Sequence, residues 1–182
     1  MMGHMATQVV VVNGGSSSGK TSIVRCLVDV LPGPWTTFGV DALIDELPPS
    51  VVGDPEWLVF HDDGRIDIGH RFAAAQALRT AQVADAARAG SPVILDDVFL
   101  GGGASQERLR AVLHGLDVLW VGVRCRADVA AQREYARGDR TVGMAASQAE
   151  SVHAGVRYDV EVDSARLDAP SCARVIARYV RV

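Results

Sequence analysis

Lysine is almost missing from this sequence. Lys20 is the only one in 182 residues, and every other strongly basic side chain is arginine. No block of like charges accompanies that bias, and the formal net charge is −4. Both observations argue against a surface built for nucleic acid or an anionic membrane. Cysteine is scarce as well. Cys26, Cys125 and Cys172 are odd in number and show no C-x-x-C spacing, so they frame neither a disulfide scaffold nor a zinc or redox motif. They read as reduced, mostly buried thiols of a cytoplasmic protein. No apolar run approaches the ~20 residues that a membrane helix needs. Met1 to Met5 lack the basic, apolar and small-residue regions of a secretion signal, and they are left out of the fold reading. No internal repeat appears. His61, His70, His114 and His153 are scattered, with no Ser-His-Asp or metal-ligand spacing. His153 reads as a residue at a helix end.

What is present is an apolar chain, 48% hydrophobic, of a length that suits one domain with a sizeable core. Short, continuous apolar runs mark five strands: Gln8 to Asn13, Thr36 to Val40, Pro92 to Asp97, Asp117 to Cys125 and Tyr158 to Val162. Segments of helical spacing lie between them, at Thr21 to Leu31, Asp41 to Leu47, Arg71 to Arg88, Ser105 to His114, Ala127 to Ala136, Met144 to His153 and Ala169 to Tyr179. Such alternation means a parallel sheet covered on both faces, an α/β fold. Trp57 to Phe60 and Arg65 to Ile68 flank His61-Asp62-Asp63-Gly64 and predict a hairpin laid over the core as an insertion. Trp35, Trp57 and Trp120 read as core or pocket walls. In open parallel sheets ligands bind beyond the carboxyl ends of the strands, which directs attention to the residues that follow each one.

Gly14-Gly15-Ser16-Ser17-Ser18-Gly19-Lys20-Thr21 follows the first strand and opens a helix, and it fits G-x-x-x-x-G-K-[ST] throughout. Glycines let the backbone turn back and aim successive N–H groups at phosphate oxygens. The helix behind the loop points its positive end at the same anion. Lys20 reaches the β- and γ-phosphates of ATP, and the Thr21 hydroxyl holds Mg²⁺. Lysine survives at the one place where a planar guanidinium would not fit the cradle.

Three further groups follow. Asp41, after the second strand, is either the cap of a short helix or a general base for an acceptor hydroxyl. Asp96-Asp97 ends the third strand, and one of the pair, Asp96 by preference, would hold a water of Mg²⁺. Arg133, Arg137 and Arg140 surround the Gly138-Asp139 break. Arg133 and Arg137 share a helix face, and Arg140 lies on a stretch able to fold over the site as a lid at about 133–143, where arginines neutralise charge on a transferring phosphoryl group. The competing reading is a solvated helix face paired with Glu134 and Asp139.

Val12 to Lys20, Phe38-Gly39-Val40-Asp41 and Leu95 to Gly102 resemble the chloramphenicol 3-O-phosphotransferase family. So do Leu119 to Cys125, Arg133 to Arg140 and Tyr158 to Asp163. The resemblance implies a three-layer P-loop fold of the nucleotide-kinase type, with strand order 2-3-1-4-5. It implies ATP-dependent phosphorylation of a primary hydroxyl of chloramphenicol, giving resistance. It makes Asp41 the base, Lys20 with Thr21 the ATP and Mg²⁺ groups, and Arg137 with Arg140 the phosphate-stabilising arginines. The likeness weakens between Pro48 and Thr80, the segment expected to cover the acceptor. Two alternatives stay open: a kinase of another hydroxylated metabolite or nucleotide-sugar, as in zeta-toxin kinases, and a nucleotide-binding switch that signals by ordering a loop. Arg65, Arg71 and Arg79 stand against Asp54, Glu56, Asp62, Asp63 and Asp67 in the variable segment, a balance that disfavours an anionic acceptor.

Overall fold

The structure is a computed structural model that describes residues 6–137 and 142–182. At its centre lies a parallel sheet of five strands: β1 (Val9–Asn13), β2 (Thr36–Gly39), β5 (Val93–Asp97), β6 (Val118–Arg124) and β7 (Val160–Asp163), in the spatial order β2-β5-β1-β6-β7. Counted along the sheet's own strands that order is 2-3-1-4-5, as the resemblance implies. All four pairings are parallel, so β1 is flanked on both sides and its four valines are buried on both faces.

The two-residue period of a strand divides those valines between two layers. Val10 and Val12 pack with Ile23, Val24 and Leu27 of α1 (Lys20–Val30) and with Cys172, Ala173 and Ile176 of α7 (Ala169–Ala177). Val9 and Val11 face the other way, onto Val83, Ala84 and Ala87 of α3 (His70–Arg88) and Leu109 of α4 (Gly103–Val112). Burial on both faces is why the strands read as unbroken apolar runs. Trp35 and Trp120 lie in these two cores, whereas Trp57 packs at the edge of a third cluster.

That third cluster is built by the segment between β2 and α3. The short helix α2 (Val40–Asp45) is followed by an antiparallel hairpin of β3 (Leu58–Phe60) and β4 (Ile66–Ile68). Leu43, Leu58 and Phe72 are its buried centre, with Val40, Ile44, Phe60 and Ile66 packed around them. Farther along the chain, α5 (Ala127–Arg137) and α6 (Met144–Ser151) form a pair around Ala130 and Ala145. The three cysteines are free, Cys125 and Cys172 buried and Cys26 half-buried. Among the described residues no helix is long and apolar enough to cross a membrane.

Element ends differ from the sequence expectations by a residue or two, where hydrogen bonding and apolar pattern part company. One such shift is at β7. Tyr158, expected inside the strand, precedes it, and its ring lies where a Cβ on Gly122 would come within 2.9 Å.

Candidate active site

The carboxyl ends of β1, β2 and β5 open into one cleft. β1 runs into the phosphate-loop sequence, β2 into Asp41 on the first turn of α2, and β5 into Asp96 and Asp97. Residues Ser16 to Thr21, Asp41 and Arg137 all line this cleft, so the structure brings together most of the groups singled out in the sequence. Arg140 lies outside the described residues.

The loop has the geometry of an anion cradle. Ser17 has φ 57°, the only positive φ of a non-glycine residue among those described, and Gly19 follows at φ 85°. Left-handed residues in such a turn point successive N–H groups inward, and strain of this kind persists where function requires it. α1 begins at Lys20 with no side-chain cap and no acidic residue in its first turn, which leaves its positive end open to an anion. The hydroxyls of Ser16, Ser17 and Ser18 are buried without hydrogen-bond partners among the described residues. Buried polar atoms without partners are rare, and phosphate oxygens would supply those missing here.

Lys20 is only 8% exposed, and a buried ammonium needs partners. Its Nζ donates to the Gly15 carbonyl at 3.4 Å and lies 3.7 Å from Asp96 Oδ1. Thr21 Oγ1 donates to Asp96 Oδ2 at 2.9 Å. One hydroxyl and one carboxylate beside a phosphate cradle form the sparse donor set that Mg²⁺ uses, with phosphate and water oxygens completing its shell. The neighbouring carboxylate points elsewhere. Asp97 Oδ1 accepts the Val98 N–H at 2.7 Å, and burial pushes its carboxyl above the usual range. Of the two carboxylates at the strand end, Asp96 is therefore the one that faces Thr21 and Lys20.

Arg133 and Arg137 part company. The Arg133 guanidinium donates to the Ser164 carbonyl at 2.7 Å and approaches the Ser18 carbonyl at 3.5 Å, tying α5 to the β7–α7 loop and the phosphate loop. It lines a second cleft, with Ser164, Leu167, Asp168 and Ala169. Arg137, at the exposed end of α5, borders both clefts, as do Ser17, Gly19 and Ser22. The phosphate loop is therefore a ridge with a cleft on either side. Glu134 does not lie on a solvated face. It is buried, and its two oxygens accept the Gly143 and Ala145 N–H groups, both at 2.8 Å.

The first cleft is apolar beyond the loop, walled by Val40, Ile44, Leu58, Phe60, Ile66 and Phe72. The arginines of residues 48–80 turn to nearby carboxylates: Arg71 to Glu56 at 2.8 Å, Arg79 to Glu46 at 2.6 Å and Arg65 to Asp67 at 4.0 Å. None of the three lines the cleft.

A buried network behind the loop escaped the sequence reading. Asn13 Nδ2 donates to the Val152 carbonyl at 2.9 Å and to the Tyr158 hydroxyl at 2.6 Å, while its Oδ1 accepts the Phe99 N–H at 2.9 Å. The Tyr158 hydroxyl also meets His153 Nδ1 at 2.6 Å. Burial drives the His153 pKa down to about 4 and that of Tyr158 up to about 12, so both are neutral near pH 7. His153 lies just past α6, as expected of a helix-end residue.

A five-stranded parallel sheet in this order, with a phosphate loop after its middle strand, defines the P-loop kinase class. Known proteins agree. A sugar kinase from Janibacter sp. HTCC2649 superposes with TM-score 0.68 at 21% identity, over 95% of this chain and 94% of that one. The Deinococcus radiodurans tunicamycin resistance protein does so with TM-score 0.63 at 21% identity, over 94% of each chain. These likenesses establish the fold. A Mycobacterium tuberculosis protein described as a candidate O-phosphotransferase, found in two strains, is 30% identical over 194 residues, covering 96% of this chain and 82% of the relative. Residues 7–181 match the family described as chloramphenicol phosphotransferase-like protein. The chain belongs to that family and is a phosphotransferase that acts on hydroxyl groups.

Proposed function

We propose that this chain transfers the γ-phosphoryl group of ATP to a hydroxyl of a small, uncharged, largely apolar antibiotic, with chloramphenicol the first candidate, and so confers resistance to it. One observation carries the reading: the phosphate loop divides an apolar cleft containing Asp41 from a second cleft beside Arg133. Nucleoside and acceptor would approach the transferring group from opposite sides of that ridge. The segment at about 48–80 is the acceptor cover, and the stretch at about 133–143 is the lid.

In this mechanism the purine lies in the second cleft against Arg133 and Leu167, and the triphosphate crosses Gly14 to Thr21. Asp41 accepts the acceptor's hydroxyl proton as that oxygen bonds to the γ-phosphorus. The bond from that phosphorus to the β–γ bridging oxygen breaks, and ADP leaves with its electron pair. Lys20 and Arg137, with Arg140 from the lid, hold the phosphoryl oxygens as charge moves onto them. Mg²⁺, held by Thr21 and a water on Asp96, would neutralise β- and γ-phosphate charge when bound. The apolar wall and the internal pairing of Arg65, Arg71 and Arg79 favour an uncharged acceptor over a sugar phosphate or nucleotide-sugar.

The test is mass spectrometry of chloramphenicol incubated with ATP, Mg²⁺ and the purified protein. The reading expects a product heavier by about 80 Da, one phosphoryl unit, whose formation falls about 10²–10⁴-fold in Asp41→Asn while ATP still binds. Transfer only to polyols or anionic metabolites would overturn the acceptor. Failure to bind ATP would overturn the whole reading.

A further inference from the structure

We propose that Gln148 is a positioning residue of the phosphate site: its side-chain amide locks the Gly15–Ser16 peptide plane and, through that plane, the ammonium of Lys20.

The Ser16 N–H donates to Gln148 Oε1 at 2.8 Å. An N–H can be answered only by oxygen, which fixes the direction of the Gln148 amide. The opposite edge of the same plane is the Gly15 carbonyl, because a trans peptide holds its C=O and N–H on opposite sides, and no described peptide bond is cis. That carbonyl accepts from Lys20 Nζ at 3.4 Å and from the Ser18 N–H at 3.3 Å. One rigid unit is thus gripped at both edges. A rotation that freed the Ser16 N–H would swing the carbonyl away from Lys20.

The loop has little of its own to resist such a rotation. Its serine hydroxyls make no hydrogen bonds among the described residues, and glycine leaves the plane free to turn. The resistance comes from α6. Gln148 is buried, 4% exposed, and it lies so close that a Cβ on Gly15 would come 3.1 Å from Gln148 Cβ. α6 is anchored in turn by Glu134 at its first residues. The consequence for turnover rests on the phosphoryl-transfer reading above; the lock itself does not.

Two near-isosteric variants separate the possibilities. Gln148→Met keeps the length without the acceptor oxygen, and Gln148→Glu keeps an oxygen on Ser16. The lock predicts that in the nucleotide-free protein the Ser16 amide, followed by NMR hydrogen exchange, is protected in the wild type and Gln148→Glu but exposed in Gln148→Met. With ATP, misplacement of Lys20 in Gln148→Met should lower kcat about 100-fold with an acceptor KM changed less than about threefold, while Gln148→Glu keeps kcat within about tenfold at a raised KM for ATP. Unchanged Ser16 protection in Gln148→Met overturns the lock. So does equal loss of turnover in both variants with Ser16 still protected. A wild type that binds no ATP ends the phosphotransferase reading instead, and the exchange measurement then decides the lock alone.

Discussion

Gly64, at the tip of the β3–β4 hairpin, lies against the backbone of Met144 at the start of α6: a Cβ added to it would sit 2.4 Å from the Met144 nitrogen. The hairpin and α6 meet there with no side chain between them, and Met144 itself lines the apolar cleft. Gly64→Ala must displace one or the other. It also forces a side chain onto φ 81°. Gly53, at φ 94° with nothing within 4 Å, supplies the control, since Gly53→Ala carries the backbone strain alone. Urea unfolding should show about 1–3 kcal/mol lost from that strain in each variant, with a further loss and a raised acceptor KM only in Gly64→Ala.

Lys20→Arg tests whether charge or shape matters at the phosphate. The ammonium is nearly buried, between Gly15 and Asp96, in a space that a planar fork does not match. Calorimetry should find ATP binding weakened nearly as much as in Lys20→Ala, with turnover down by about 100-fold or more. Retained turnover would mean that a point charge is not required.

Ile68→Asp probes the proposed acceptor wall alone. Ile68 lines the apolar cleft yet is 42% exposed, so folding should tolerate the change. A carboxylate there should raise the KM for an uncharged apolar acceptor by about tenfold or more, the worth of a lost apolar contact plus a desolvated charge. ATP affinity, measured separately, should stay constant.

His153 gives the fold an acid limit. Its folded pKa of about 4 lies below the ordinary 6.5, so between those values the unfolded chain binds more protons than the folded one. Stability is therefore full above pH 6.5 and falls as pH drops toward 4, by up to about 3 kcal/mol for this one group. Urea midpoints should track that decline in the wild type, and His153→Gln should flatten it. An equally steep decline in the variant would assign the acid sensitivity to other groups.

Much of this was legible in the sequence, and the physical reason differs by feature. The buried strands were readable because both faces of the sheet are covered, and the phosphate loop because its chemistry fixes four positions within eight consecutive residues. The hairpin was readable from its turn. Which of Asp96 and Asp97 faces Thr21 and Lys20 was not, because alternation fails at a strand end. Gln148 and Tyr158 were invisible for another reason. Their partners Ser16 and Asn13 lie 132 and 145 residues away, and nothing local marks a glutamine or tyrosine as part of a distant loop.

The ridge formed by the phosphate loop also bears on how such a chain can change. Among the described residues, the second cleft takes no wall from residues 48–80, while the first takes much of its wall from them. If the first cleft holds the acceptor and the second the nucleotide, as proposed, the hairpin and its flanks form an exchangeable cassette, and the nucleotide side is a chassis that need not be rebuilt when the cassette is swapped. Drift or deliberate grafting in that segment can redirect the phosphoryl group to new hydroxyls, provided that the glycine at its tip still docks on α6.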